Sequence, residues 1–172
     1  MRTQIEYLFW GLLLVIVDVA VNGFDLLPDF IGYIVIASGC GGLLAVSPRF
    51  GTARTLSIAL VGTSLLEVFA RGNLPPAWTL VGFVLSCSMI WFLLGGLMDL
   101  TMQHQRPDLA EKAAQRRTAY IVLASLGTLG AMFAPRLLGD APVLVLLLVV
   151  IMLVLVVMIL QLIWQVRQMV VE

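Results

Sequence analysis

The chain predicts an all-α fold, a polytopic bundle of about six transmembrane helices in a single domain spanning residues 1–172. Three observations carry that expectation. Hydrophobic residues make up 61% of the sequence and charged residues 12%, whereas soluble domains average about 45–50% and about 25%. The apolar residues fall into six blocks separated by Pro, Gly, Asn and charged residues. The last block, residues 143–160, is unbroken and long enough to cross hydrocarbon. Eighteen helical residues rise about 27 Å, close to the thickness of a bilayer core.

Block one covers residues 5–21 and extends at most to Phe24, with Tyr7 and Trp10 at its start suited to the headgroup region. It contains Asp18 and no small-residue cleavage pattern follows, so it reads as a span rather than a signal peptide. A turn at residues 22–29 leads into block two, residues 30–46, with Pro28 and Asp29 placed for a helix start. Ser47-Pro48-Arg49 ends it, because a residue before proline disfavours helix. Block three, residues 56–70, is short. Block four is 78–98, block five is 118–133 and also short, and block six is 143–160, continuing as a more polar helix through Gln161, Trp164, Gln165 and Arg167. Flanking residues either complete blocks three and five or leave them dipping in without crossing, which would reduce the spans to four or five. Residues 99–117 form the one sizeable polar segment, a cytoplasmic loop in which Pro107 opens a short helix that runs on into block five.

Orientation follows from the basic residues. With the amino terminus inside, Arg2, Arg49, Arg54, Arg106, Lys112, Arg116, Arg117 and Arg167 face the cytoplasm, and only Arg71 and Arg136 lie opposite. That bias predicts both termini cytoplasmic. Lys112, Arg116 and Arg117 are explained by topology, with contact to anionic lipid or a docking partner as the alternative. Lipid tails compete for apolar contacts, so the helices are expected to associate through small residues: Ala37 with Gly41, Ser38 with Gly42, Gly82 with Ser86, Gly127 with Ala131 and Gly130 with Ala134. Block six, apolar all round, is expected at the lipid-facing periphery.

The zero net charge offers no field for nucleic acid. No phosphate-binding glycine loop with its lysine, paired-cysteine motif or helical His-Glu-x-x-His is present. Cys40 and Cys87 sit in apolar blocks as small buried residues, and His104 lies among glutamines in the polar segment. Ser64, Ser86 and Ser88 have no neighbouring base, which argues against a serine hydrolase. No cofactor is implied.

Asp18 is the sharpest feature, since a carboxylate within a span must be neutral, hydrated or paired. Continued helix would align Asp18, Asn22 and Asp25 on one face. Asp29 and Glu67 fall at similar depth, and Arg71, four residues after Glu67, neutralises it or compensates both Asp18 and Glu67. These six residues are the candidates for a cation or small-solute site, against a structural reading in which Asp18 is locally bonded and Glu67 pairs with Arg71. Several acidic oxygens suit a hard cation, but the spacing is no metal motif. The two functions in view are a small-solute or cation permease, or its membrane subunit, and a non-catalytic scaffold or assembly partner. The expected partners are membrane lipids and a second copy of the chain or another membrane protein.

The stretch Phe24-Asp25-Leu26-Leu27-Pro28-Asp29-Phe30-Ile31-Gly32-Tyr33 resembles a segment of small uncharacterised bacterial multi-span membrane proteins. The resemblance covers residues 18–50 and implies a bacterial cytoplasmic membrane location, with no chemistry attached.

Overall fold

The computed structural model of the chain describes residues 1–16, 20–21, 24–25, 29–70, 75–133 and 142–170. They form six helices: α1 (Arg2–Ile16), α2 (Asp29–Gly41), α3 (Pro48–Ala70), α4 (Pro76–Gln103), α5 (Pro107–Phe133) and α6 (Pro142–Met169). Three segments are long and apolar enough to cross a membrane: Pro48–Ala70, Ala77–Gln103 and Val145–Met169. The protein is therefore an all-α membrane protein.

Proline sets the starts of α3, α4, α5 and α6. Its missing N–H lies among first-turn donors that lack helical partners anyway. This explains why the short apolar blocks make long helices. Block three is completed backwards through Arg49 and Arg54 to Pro48, giving 23 residues. Block five gains the polar stretch from Pro107, giving 27. The expected loop at 99–117 contracts accordingly. Helix α4 runs to Gln103, and the reversal occupies His104–Arg106, with Gln105 at φ 55° and the Arg106 N–H donating to the Thr101 carbonyl.

The first helix ends sooner than its composition suggests. It stops at Ile16, and Ala20–Val21 (β1) pairs antiparallel with Phe24–Asp25 (β2), Val21 opposite Phe24. Asp25 thus lies in a strand and not on a continued first helix, while Asp18 and Asn22 fall outside the described residues. The signal was in the sequence: Asn22-Gly23, between the paired residues, is a strong two-residue hairpin dipeptide, because Asn and Gly tolerate positive φ. Helix α2 also stops early, at Gly41, and turns occupy residues 42–46 before Pro48.

Each helix packs on its neighbour in sequence, and α6 closes the ring against α1. Glycines set the tightest seam, between α1 and α2. A Cβ on Gly32 would stand 2.9 Å from the Gly11 carbonyl oxygen and 3.0 Å from the Val15 nitrogen, and one on Gly39 would stand 2.8 Å from the Gln4 carbonyl. Elsewhere Gly96 admits the ring of Phe50, three of whose carbons lie 2.9 Å from where a Cβ would be. Not every expected small residue is used this way. Gly41 faces the Arg54 guanidinium, and a Cβ on Gly82 would meet nothing within 4 Å.

The ring is closed by charge as well as packing. Arg167 of α6 reaches Glu6 of α1 at 2.7 Å, Arg2 joins the same carboxylate oxygen at 3.1 Å, and Trp164 packs on Phe9. The core is continuous, running through Leu8, Ile36, Leu43, Phe50, Leu93, Leu97 and Leu162, all fully buried. Helix α6 buries Ile159, Leu162, Ile163 and Val166 while leaving Leu146, Leu153 and Val154 exposed. It is lipid-facing along its first half and packed along its second.

Candidate functional site

Inside the ring, five of the six helices meet at a cavity of about 100 Å³. Leu12, Val15 and Ile16 of α1, Met89 and Ile90 of α4, and Val156 and Ile159 of α6 supply apolar walls. Three hydroxyl-bearing residues line it as well: Tyr33 from α2, Ser86 from α4 and Tyr120 from α5. Tyr33 is 6% exposed, and its hydroxyl lies within hydrogen-bonding reach of Ser86. Tyr120 stands in electrostatic range of both Tyr33 and Cys87. By liquid volume such a space holds about three waters. Water or a small polar solute there would find donors and acceptors on one side and hydrocarbon on the others.

Local sequence explains the convergence. Gly32 brings α2 against α1, and the next residue, Tyr33, is carried inward by that close approach. Several other hydroxyls in the spans bond to their own helices. Ser57 donates to the Ala53 carbonyl at 2.8 Å, Thr63 to Leu60 and Thr101 to Met98. Ser86, Tyr33 and Tyr120 line a shared space.

The candidates named from sequence are placed differently. Asp18, Asn22 and Arg71 lie outside the described residues. Asp25 belongs to β2, paired with Ala20. Asp29 opens α2 and is half-buried. Glu67 is exposed near the end of α3 and does not line the cavity. Asp29 and Glu67 are nevertheless close enough for their charge to act on the Tyr33 hydroxyl. Among the described residues, no group of three or more His, Cys, Asp or Glu comes together.

At the opposite end of α4 the structure builds a network that spacing alone did not reveal. Asp99 accepts from Ser47 at 2.6 Å and from Arg49 at 3.1 Å, and Arg49 also donates to the Gly95 carbonyl at 3.2 Å. Gln103 donates to the Val46 carbonyl at 3.0 Å. The α2–α3 connection is thereby tied to α4. Arg116 donates to the Met158 carbonyl of α6, and Arg117 lies 3.7 Å above the Trp91 ring. Both arginines, expected to serve topology, are built into helix contacts. Beyond α4, the Arg106 guanidinium beside Asp108 holds that carboxyl below the usual range. His104 is occupied with its own helix, its Nδ1 2.9 Å from the Leu100 carbonyl.

No known protein family, curated protein or solved structure matches the chain. The residues therefore carry the functional reading alone.

Proposed function

We propose that this protein is a small-solute or cation permease, or the membrane subunit of one, with its site in the cavity among Tyr33, Ser86 and Tyr120. The observation that carries the reading is that three hydroxyl-bearing residues from three helices, Tyr33, Ser86 and Tyr120, line one small cavity within an apolar ring. Tyr33 and Ser86 partner each other there, and burying hydroxyl capacity without a partner costs about 1–3 kcal/mol on protein scales, so whatever that one bond leaves over favours a polar occupant. The fields of Asp29 and Glu67 bias that occupant toward neutral or positive charge. In this reading all six helices span the membrane, the polar end of α4 and both termini are cytoplasmic, and the membrane is a bacterial cytoplasmic one. The basic-residue bias and the segment at residues 24–33 support that placement.

A scaffold role is favoured by a different observation. The cavity is small, and Glu67 stands outside it. Flux into liposomes holding the purified protein, across a panel of ions and small neutral solutes, separates the two. The permease reading expects flux above empty liposomes for one solute class, with Tyr33→Phe and Ser86→Ala reducing it and Asp18→Asn and Glu67→Gln altering cation preference. Flux at the empty-liposome level for every solute would leave the scaffold.

A further inference from the structure

Arg49 and Arg117 come from different helices, α3 and α5, yet converge on one point of α4. A Cβ on Gly95 would stand 3.3 Å from Nη1 of Arg49 and 3.4 Å from Nη1 of Arg117. The two guanidinium groups repel each other, and Asp99 is the carboxylate that acts on both. Asp99 is also shared with Ser47. Two cations against one anion leave the cluster one positive charge in excess.

Arg117 is held from below rather than from its edge. The Trp91 ring covers one face of the guanidinium, and Nε is buried with no hydrogen-bond partner. A planar guanidinium stacked in this way keeps its Nη edge available for two parallel bonds to an oxyanion. The site is open to the outside of the bundle, because the Arg49 side chain is 44% exposed and Trp91 38%. Glycine at position 95, carrying no side chain, lets both guanidiniums approach the backbone of α4 closely.

We propose that Arg49 and Arg117, backed by Trp91 and Gly95, form a binding site for a phosphate group at the α3–α4–α5 end of the bundle. One phosphate spans both guanidiniums, and its negative charge balances the excess. The same chemistry is offered by the headgroup of an anionic phospholipid and by free phosphate, and basic pockets between spanning helices suit the former. This site is separate from the hydroxyl-lined cavity and stands whether or not the protein transports anything.

The test uses the whole purified protein in neutral detergent. Native mass spectrometry measures retained phosphatidylglycerol against zwitterionic phosphatidylcholine. Thermal unfolding with inorganic phosphate against chloride, at matched ionic strength, tests the free anion. The expected result is preferential phosphatidylglycerol retention, weakened about tenfold in Arg117→Gln and severalfold in Arg117→Lys, which keeps the charge but loses the fork. Lys112→Gln, also a basic residue of α5 but outside the cluster, should stay within about twofold of the parent, since a lone exposed charge contributes little. Stabilisation by phosphate alone, without lipid preference, identifies a free-anion site and supports the same chemistry; lipid retention with inert phosphate identifies the headgroup. Binding of neither above its control overturns the proposal. So does a loss in Lys112→Gln as large as in Arg117→Gln, which would mean diffuse electrostatics.

Discussion

Gly32→Ala tests how the first two helices are joined. One added methyl would stand 2.5 Å from Val15 Cγ2, 2.9 Å from the Gly11 oxygen and 3.0 Å from the Val15 nitrogen. Two of those three are backbone atoms, which cannot swing aside, so the helices must part by about 0.5–1 Å to restore ordinary contact. A gap of that size forfeits a quarter to a half of each pair's dispersion well, itself about 0.1–0.2 kcal/mol. Over a seam of about 40–60 heavy-atom pairs, the loss is about 2 kcal/mol. Alanine returns up to about 1 kcal/mol through its helix propensity. The net expectation is destabilisation by about 1–2 kcal/mol, read from equilibrium unfolding in mixed micelles by circular dichroism. Gly62→Ala and Gly82→Ala are the internal comparison. Each sits in a helix with nothing within 4 Å of the added carbon, so both should be neutral or stabilising by up to about 1 kcal/mol. A Gly32→Ala protein as stable as these two would refute the close-packed seam.

Other consequences follow from the same contacts. Gly96→Ala drives a methyl into the Phe50 ring and should cost about 1–3 kcal/mol; adding Phe50→Leu should recover part of it, and equal losses for the single and double variants would refute the contact. Asp99→Asn removes the charge that receives Ser47 and Arg49 and should lower stability by about 1–2 kcal/mol, the modest size reflecting the half-exposed pair; an unchanged melt would show that the network ties nothing. The depressed Asp108 carboxyl predicts a pH signature in the first turn of α5. A lowered folded value means that its bonds persist above the ordinary carboxylate range and are lost as pH falls through the lowered value. Amide exchange at Leu109, corrected for intrinsic rates, should therefore accelerate only at strongly acidic pH, and in Asp108→Asn at neutral pH too. Identical profiles for the two proteins would contradict the pairing.

Fold class and helix order were legible because lipid imposes them: long apolar stretches must be helices, and Pro107 reads as a helix start, whereas Pro48 reads from sequence as the end of block two. Helix lengths were less legible. Apolarity marks what lies in hydrocarbon, whereas Pro48 and Pro107 begin helices several residues before hydrocarbon is reached. Block one reads as apolar to residue 21, whereas the described helix runs to Ile16 and Ala20–Val21 is strand, since Val-rich sequence suits both helix in lipid and strand. The site was the least visible part. Attention went to carboxylates, whose cost in lipid is obvious from the sequence. In the sequence Tyr33 stands out only as part of the 24–33 segment, Ser86 only as a packing partner of Gly82 and a serine lacking a base, and Tyr120 carries no signal but its place near the start of block five. Their convergence depends on how α2, α4 and α5 rotate about their axes, which Gly32 helps set and no spacing along one helix records.

The most direct test of the bundle is the closure of α6 on α1, where Arg167 meets Glu6 at 2.7 Å. Cysteines placed at positions 6 and 167, in a Cys40→Ala, Cys87→Ala background, should be bridged within one chain by a short bis-maleimide in intact membranes, and both should react from the same side. Absence of the intramolecular bridge, or labelling of the two positions from opposite faces, would contradict a closed ring of six helices.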